Sequence, residues 1–252
     1  MLLYGSGVID LHTHILPGID DGARSLDDSR MLALEAAADG ISALAATPHV
    51  RADFPTTADL MEQAVGELRL DFFEERIPVE VLFGAEVDVG LLWAIPRDEL
   101  PRLTIAQTGR YLLLEFPYRG WPLALDSAVT GLVQLGITPL LAHPERNPEV
   151  QDRPDRLRGL VDSGALVQVT SASLDGRLDR ASQGAAERLL GLGLVHVLAS
   201  DAHGPHIRGG GLSAAARAVG DSGLARYLTV EAPGAIAAGE PVPEAPQVRL
   251  GA

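Results

Sequence analysis

Six short apolar runs along this chain each end at a histidine or a carboxylate, and no other feature narrows its fold as far. Val8-Ile9-Asp10-Leu11 runs into His12-Thr13-His14, and Leu44-Ala45-Ala46-Thr47-Pro48 into His49. Val81-Leu82-Phe83-Gly84-Ala85 precedes Glu86, Leu112-Leu113-Leu114 precedes Glu115, and Leu140-Leu141-Ala142 precedes His143. The last, Val197-Leu198-Ala199-Ser200, leads to Asp201-Ala202-His203. An apolar stretch of about four to eight residues bounded by Gly or Pro reads as a buried strand. Polar groups are therefore delivered repeatedly to strand C-termini, the edge at which parallel α/β folds assemble their sites.

The segments between these runs have helical character. Residues 26–39 are rich in helix formers, carry acidic residues in the first turn and are followed by Gly40. Further helices are expected over 57–75, 122–135, 154–163, 180–192 and 213–227, and Gly136, Gly164 and Gly193 each stand where a helix would end before a strand. With Leu166-Val167-Gln168-Val169 there are seven β runs alternating with helices, the pattern of a parallel βα barrel. Residues 87–111, with Pro96 and Pro101, break the rhythm and are expected to form an irregular excursion carrying a short extra strand. A chain of 252 residues, 46% hydrophobic, can bury one substantial core, so residues 1–240 are expected to form a single domain. Residues 241–252 hold three prolines and no apolar period, and read as a loose tail.

Charge and composition remove several classes of function. A net charge of -14 argues against a nucleic-acid partner, because phosphate backbones are bound through excess Lys and Arg. No apolar stretch approaches the roughly 18 residues that span a membrane, and no basic region precedes the few apolar residues of the N-terminus. The expectation is a cytoplasmic protein without membrane insertion; oligomeric state is not legible. Cysteine is absent, which excludes disulfide frameworks, thiolate metal sites and the thiolate-nucleophile route to phosphate ester cleavage.

His12 and His14 are two residues apart at a strand end, where alternation points both imidazoles to one side. Asp201-Ala202-His203 repeats that spacing at the far end of the chain. Two cations about 3.5–4 Å apart need a bridging carboxylate, and Glu86 and Glu115 are available for it. A His, Asp and Glu set without sulfur suits Mn²⁺, Fe²⁺ or Zn²⁺ better than Mg²⁺ or Ca²⁺. Any single histidine is more often structural than a ligand. Of the seven, however, His12, His14, His49, His143 and His203 all fall at strand ends, whereas His196 leads into a strand and reads as structural. Glu115 would be costly to bury without a cation or partner. Asp20 and Asp21 remain open between ligand and turn, since Asp-Asp-Gly is also an ordinary turn sequence.

Taken together, Ile9-Asp10-Leu11-His12-Thr13-His14-Ile15-Leu16-Pro17-Gly18-Ile19-Asp20-Asp21-Gly22, Ala46-Thr47-Pro48-His49, Gly84-Ala85-Glu86, Leu114-Glu115-Phe116-Pro117, Ala142-His143-Pro144-Glu145-Arg146 and Ala199-Ser200-Asp201-Ala202-His203-Gly204 resemble a known family. It is that of the bacterial metal-dependent protein-tyrosine phosphatases of the polymerase-and-histidinol-phosphatase (PHP) superfamily, in its capsule and exopolysaccharide subgroup. The resemblance runs from about residue 8 to 240 and keeps motif order. It implies a distorted (β/α)7 TIM-like barrel, the PHP fold, with three divalent metal ions, usually Mn²⁺. His12, His14, Glu86 and Asp201 would take one ion, Glu86, Glu115 and His143 a second, and Asp21, His49 and His203 the third. By the same resemblance Asp21 rather than Asp20 is the ligand, and Arg146 and Arg208 hold the substrate phosphate. The implied substrate is a phosphotyrosine-bearing protein, the tail of a bacterial tyrosine kinase. Chemistry agrees with this: a hydroxide bridging two cations exists near neutral pH and attacks phosphorus in line, so no protein nucleophile is needed. His203 is the candidate general acid. Asp21, Glu86, Glu115 and Asp201 carry four negative charges, which three divalent cations overcompensate by two.

Two stretches depart from the family pattern: Ser171 stands where a glycine is expected, and Gly209-Gly210-Gly211 replaces an Arg-Pro-Pro type sequence. Two other classes of function stay in view, a small-molecule phosphoesterase of the histidinol-phosphate or sugar-phosphate type and a non-catalytic, metal-stabilised scaffold.

Overall fold

Each apolar run is a strand in the computed structural model, which describes residues 7–205, 209 and 211–246. In chain order the strands are β1 (Val8–Thr13), β2 (Ile41–Ala46), β3 (His49–Arg51), β4 (Phe54–Pro55), β5 (Glu80–Phe83), β6 (Glu86–Asp88), β7 (Tyr111–Glu115), β8 (Thr138–Ala142), β9 (Leu166–Thr170) and β10 (Val197–Ala199). One sheet has the order β1-β2-β5 and the other β10-β9-β8-β7-β6-β3-β4. All pairings are parallel except the β3–β4 hairpin.

The two sheets are one ring. β2 continues into β3 across Thr47-Pro48, and β5 into β6 across Gly84-Ala85, so the pair β2–β5 passes directly into the pair β3–β6. The seam between β1 and β10 is joined beyond the end of β10, where His14 N–H donates to the Ala202 carbonyl at 2.8 Å and Asp201 N–H to the His12 carbonyl at 2.9 Å. Seven positions result, each occupied by one of the seven β runs, and the expected distorted barrel is the observed architecture. Proline explains one interruption: Pro48 has no N–H to give the ladder. Gly84 marks the other, because a Cβ there would lie 2.8 Å from the Thr47 methyl.

Alternation sorts the strand residues into two layers. Ile9, Leu11, Ala43, Ala45, Leu82, Tyr111, Leu113, Leu140, Ala142, Val197 and Ala199 meet in one apolar cluster, closed by Ile105, Ile236 and Ala237. The intervening residues, among them Leu44, Val81, Phe83, Leu112, Leu114, Leu141, Val167 and Leu198, pack instead with the helices. The first cluster fills the barrel, and the second cements the helical layer to its outside. Helix α1 (Leu26–Ala38) is capped by Ser25, whose hydroxyl accepts from Asp28 N–H, and α2 (Ala58–Glu74) by Thr57 in the same way.

The expected helix over 122–135 begins later, at Leu125. The stretch 154–163 is a 3-10 turn, Pro154–Leu157, followed by a short helix, Arg158–Asp162. The single helix expected over 213–227 is broken into Ser213–Ala218 and Ser222–Arg226. Gly220 sits between them at φ 76°, and Asp221 caps the second piece. β6 continues the third apolar run from Glu86, so the excursion at 87–111 holds three 3-10 turns and not the extra strand expected there. Residues 241–246 form no helix or strand, and the rest of the tail lies outside the described residues, as do His206, Arg208 and Gly210. Among the described residues no helix is long and apolar enough to cross a membrane.

His196 is structural, as its place before β10 suggested. Its Nδ1 accepts from Val167 N–H at 3.1 Å, and its own N–H donates to the Val167 carbonyl at 2.9 Å. Burial pushes its pKa down to about 4. The unfolded chain takes up this proton near pH 6.5, so the stability tied to neutral His196 is complete above that pH and is lost as pH falls towards 4. Between pH 7.5 and 5 the loss from this residue should be about 2 kcal/mol. Urea unfolding of chelated protein at both pH values, compared with His196→Asn, whose Oδ1 can replace the acceptor, should show the dependence flattened in the variant. Equal slopes in the two proteins would refute it.

Candidate metal centre

On β7, β9 and β10 inward alternation carries polar residues to one mouth, and on β1 a register shift between Asp10 and Thr13 interrupts the alternation. Glu115 follows Tyr111 and Leu113 on β7, Gln168 lies on β9, and Asp201 follows Val197 and Ala199 just past β10. His143 and Asp201 leave their strands with positive φ, 38° and 52°. Non-glycine residues in that region cost free energy and cluster where function holds them. The Ser171 hydroxyl accepts from Arg177 at 3.3 Å, and this buried serine opens the short helix Ser171–Leu174.

Four groups of ligand atoms lie within 4.8 Å of one another: His12, His14 and Asp201; His12, Glu86 and His143; His49, Glu86 and Glu115; and His14, Asp21, His49 and His203. Glu86, fully buried, joins two of them. Its Oε1 is 3.0 Å from His143 Nε2, and its Oε2 is 2.9 Å from His49 Nδ1, 3.4 Å from His12 Nε2 and 3.5 Å from His14 Nε2. Asp201 Oδ1 faces His12 Nε2 at 3.4 Å and His14 Nε2 at 3.3 Å. Asp21 Oδ1 lies 3.4 Å from His49 Nε2 and 3.5 Å from His203 Nε2. All nine residues expected to hold metal are thus brought together. The sharing differs from the expected one: Glu115 groups with His49 and His143 with His12, Glu86 is not in the group of His12, His14 and Asp201, and His14 joins Asp21, His49 and His203. Asp20 is in none of these groups; its carboxylate accepts from His14 Nδ1 at 2.7 Å.

The donor set fits divalent cations. Glu115 Oε2 and His143 Nδ1 are buried and have no hydrogen-bond partner among protein groups. Orphaned buried polar atoms are rare and call for an explanation. The Nε2 atoms of His12 and His14 stand 3.1 Å apart with carboxylate oxygens around them, an array of acceptors that a cation satisfies. Protonation reports the same crowding. Burial together with the charge of Glu86 pushes Glu115 up to about 7. Burial opposes ionisation of Glu86 as well, yet the surrounding imidazoles hold it well below the usual carboxylate range. Burial drives His143 down to about 4, the neutral form that binds metal.

Comparison with known proteins agrees with this geometry. The sequence model for the capsular polysaccharide synthesis family CpsB/CapC matches residues 8–231. The chain belongs to that family. A tyrosine-protein phosphatase of Bacillus subtilis, YwqE, is 36% identical over 199 residues, covering 78% of this chain and 77% of that one. The Streptococcus pneumoniae tyrosine-protein phosphatase CpsB is 29% identical over 204 residues, covering 78% and 83%. A solved structure from work on YwqE and CpsB, described as unique metal-dependent tyrosine phosphatases, superposes with a TM-score of 0.84 at 30% identity, over 95% of this chain and 100% of that one. A phosphotriesterase homology protein from Escherichia coli shares the fold, with a TM-score of 0.59 at 12% identity over 90% of this chain and 97% of that one.

At the mouth of this CpsB/CapC barrel Arg146 lies 2.6 Å from Asp201 Oδ2, with its guanidinium 4.9 Å from the centre of the Tyr118 ring. Tyr118 also stacks on His143, at 5.6 Å between ring centres. The loop bearing it is pinned by buried Asn147, whose side-chain amide donates to the Pro117 and Gly120 carbonyls. Arg51, on β3, reaches Glu115 Oε1 at 3.1 Å and also pairs with Asp53. Sequence reasoning passed over Tyr118, Arg51, Asp20 as a partner of His14, and Gln168. Gln168 left one readable trace, a lone polar residue within an apolar strand.

Proposed function

We propose that this chain is a metal-dependent phosphomonoester hydrolase that removes phosphate from phosphotyrosine in protein, in the control of capsule or exopolysaccharide synthesis. The observation that carries the reading is Glu86, one buried carboxylate shared by adjoining ligand groups, with a guanidinium at their edge. The named activity of YwqE and CpsB supports the choice of substrate. The partner we assign is the tail of a bacterial tyrosine kinase, met in the cytoplasm, and residues 1–240 act as one catalytic domain.

Three divalent ions, Mn²⁺ before Fe²⁺ or Zn²⁺, would be held by His12, His14, Glu86 and Asp201; by Glu86, Glu115 and His143; and by Asp21, His49 and His203. Bound there, they would supply Lewis acidity, activating water as the nucleophile and offsetting charge on the phosphoryl oxygens. Arg146 holds non-bridging oxygens of the phosphate, with Arg208 as its second donor, and offsets charge in the transition state. Asp201 keeps the Arg146 guanidinium in place through its Oδ2. The leaving phenolate has a conjugate-acid pKa of about 10 and needs little protonation. His203 donates through Nδ1 to the Asp201 carbonyl at 2.9 Å, which leaves Nε2 for either ligation or proton transfer. Ligation beside Asp21 is the role we adopt.

The test is hydrolysis of a tyrosine-phosphorylated peptide and of an alkyl phosphate by protein stripped with chelator and reloaded with Mn²⁺, beside the double variant His12→Ala, His14→Ala. Metal-dependent preference for the peptide, lost in the double variant, is expected. Preference for the alkyl ester would move the protein to small-molecule phosphate metabolism, and inactivity with every reloaded metal would favour the scaffold. Tyr118 lies against both His143 and Arg146, so it is placed to contact the substrate ring. Tyr118→Ala should raise KM for the phosphotyrosine peptide about 3- to 10-fold, the worth of one aromatic contact, and leave KM for the alkyl phosphate unchanged. An equal rise for both substrates would remove Tyr118 from substrate selection.

A further inference from the structure

The protonation of the two histidines on β1 is settled by partners that cannot change role. Asp20 accepts from three directions. Its Oδ1 takes the Gly22 N–H at 2.9 Å, and its Oδ2 takes the His49 N–H at 3.1 Å and faces His14 Nδ1 at 2.7 Å. An ionised carboxylate has no proton to give, so His14 Nδ1 donates, and the neutral, metal-binding form of the ring has its lone pair on Nε2. Gln168 does the same for His12. Its Oε1 lies 3.1 Å from His12 Nδ1 and also faces the His143 N–H at 3.3 Å. A backbone amide can only donate, which puts the oxygen rather than the NH₂ on that side and leaves His12 Nδ1 as a donor too.

We propose that Asp20 and Gln168 are positioning residues that lock His14 and His12 in the Nδ1–H tautomer, so that both Nε2 lone pairs meet at one cation. The inference rests on reading the pocket as a metal centre and adds what prepares it. The two locks are unequal. Asp20 makes a charge-assisted bond, stronger than the neutral bond from Gln168, and raises the basicity of His14. Through the His49 N–H the same carboxylate also fixes the start of β3, so it supports ligands of two neighbouring groups. Asparagine is the sharp probe. All three partners of Asp20 are donors, and whichever way an amide turns, its NH₂ meets one of them.

The experiment is calorimetric titration of Mn²⁺ into chelator-stripped wild type, Asp20→Asn, Gln168→Leu, His14→Ala and Asp20→Asn/His14→Ala, with thermal melts of each metal-free protein. Asp20→Asn should weaken the tightest Mn²⁺ binding about 10- to 100-fold, and Gln168→Leu by less, as removal of partners behind a ligating histidine does. Once His14 is alanine, adding Asp20→Asn should weaken binding far less than it does in the wild type, because most of the effect of Asp20 passes through that ring and only the His49 N–H contact remains. Wild-type affinity in Asp20→Asn, or full additivity in the double variant, overturns the proposal. If the melts show Asp20→Asn unfolded, Asp20→Glu, which keeps the charge and shifts it by one methylene, carries the same comparison. These readouts are independent of turnover. A protein with this binding pattern that hydrolyses no phosphotyrosine would overturn the phosphatase reading and leave the tautomer lock standing.

Discussion

Glu86→Gln is expected to lower turnover of a phosphotyrosine peptide by about 10³-fold or more in Mn²⁺-loaded protein, the equivalent of several kcal/mol of transition-state stabilisation. The size follows from position. Glu86 oxygens lie within 3.5 Å of His12, His14, His49 and His143, so one substitution withdraws a negative charge from adjoining ligand groups at once. Glutamine keeps the volume, and with it the packing of a residue that is fully buried. The fold should therefore survive, as circular dichroism would show, while steady-state kinetics and metal content fall together. Turnover within tenfold of wild type would remove Glu86 from the centre of the mechanism.

Chelation is expected to lower the unfolding midpoint by about 10 °C, with recovery on adding Mn²⁺. A cation present at a thousand times its dissociation constant stabilises the folded state by about 4 kcal/mol. For a chain of this size each kcal/mol is worth about 2–4 °C. Stabilisation arises because the pocket gathers acceptors and orphaned buried atoms that protein groups do not satisfy. The double variant His12→Ala, His14→Ala should melt at one temperature with and without Mn²⁺. Scanning calorimetry decides the matter, and a wild-type midpoint indifferent to chelator would mean that no cation contributes to the folded state.

Much of this was legible because it is local. Continuous apolar runs bounded by Gly or Pro made buried strands, and the residue after each run had to emerge at the same barrel edge. Glu115 after three leucines, and His143 before Pro144, are examples. Capping signals were local as well: Ser25 and Thr57 begin α1 and α2 within a residue of expectation. The helix expected over 213–227 failed because Gly220 and Asp221 are also a stop and a start signal, and a periodicity count passes over them. Arg208, and Gly210 of the Gly209–Gly211 departure, lie outside the described residues.

By itself the sequence determined which residue types arrive at the barrel mouth and in what order, since hydrophobic alternation and turn chemistry act over a few residues. Only the tertiary structure decided who meets whom. Closure of the ring sets His12 and His14 beside Asp201 and His203, about 190 residues away, and β3 and β6, which continue β2 and β5, bring His49 and Glu86 to that same mouth. It also divided Asp20 from Asp21. Adjacent in sequence and identical in chemistry, one meets the back of His14 and the other faces His49 and His203. That difference lies in the path of a loop across neighbouring strands, which no local pattern encodes.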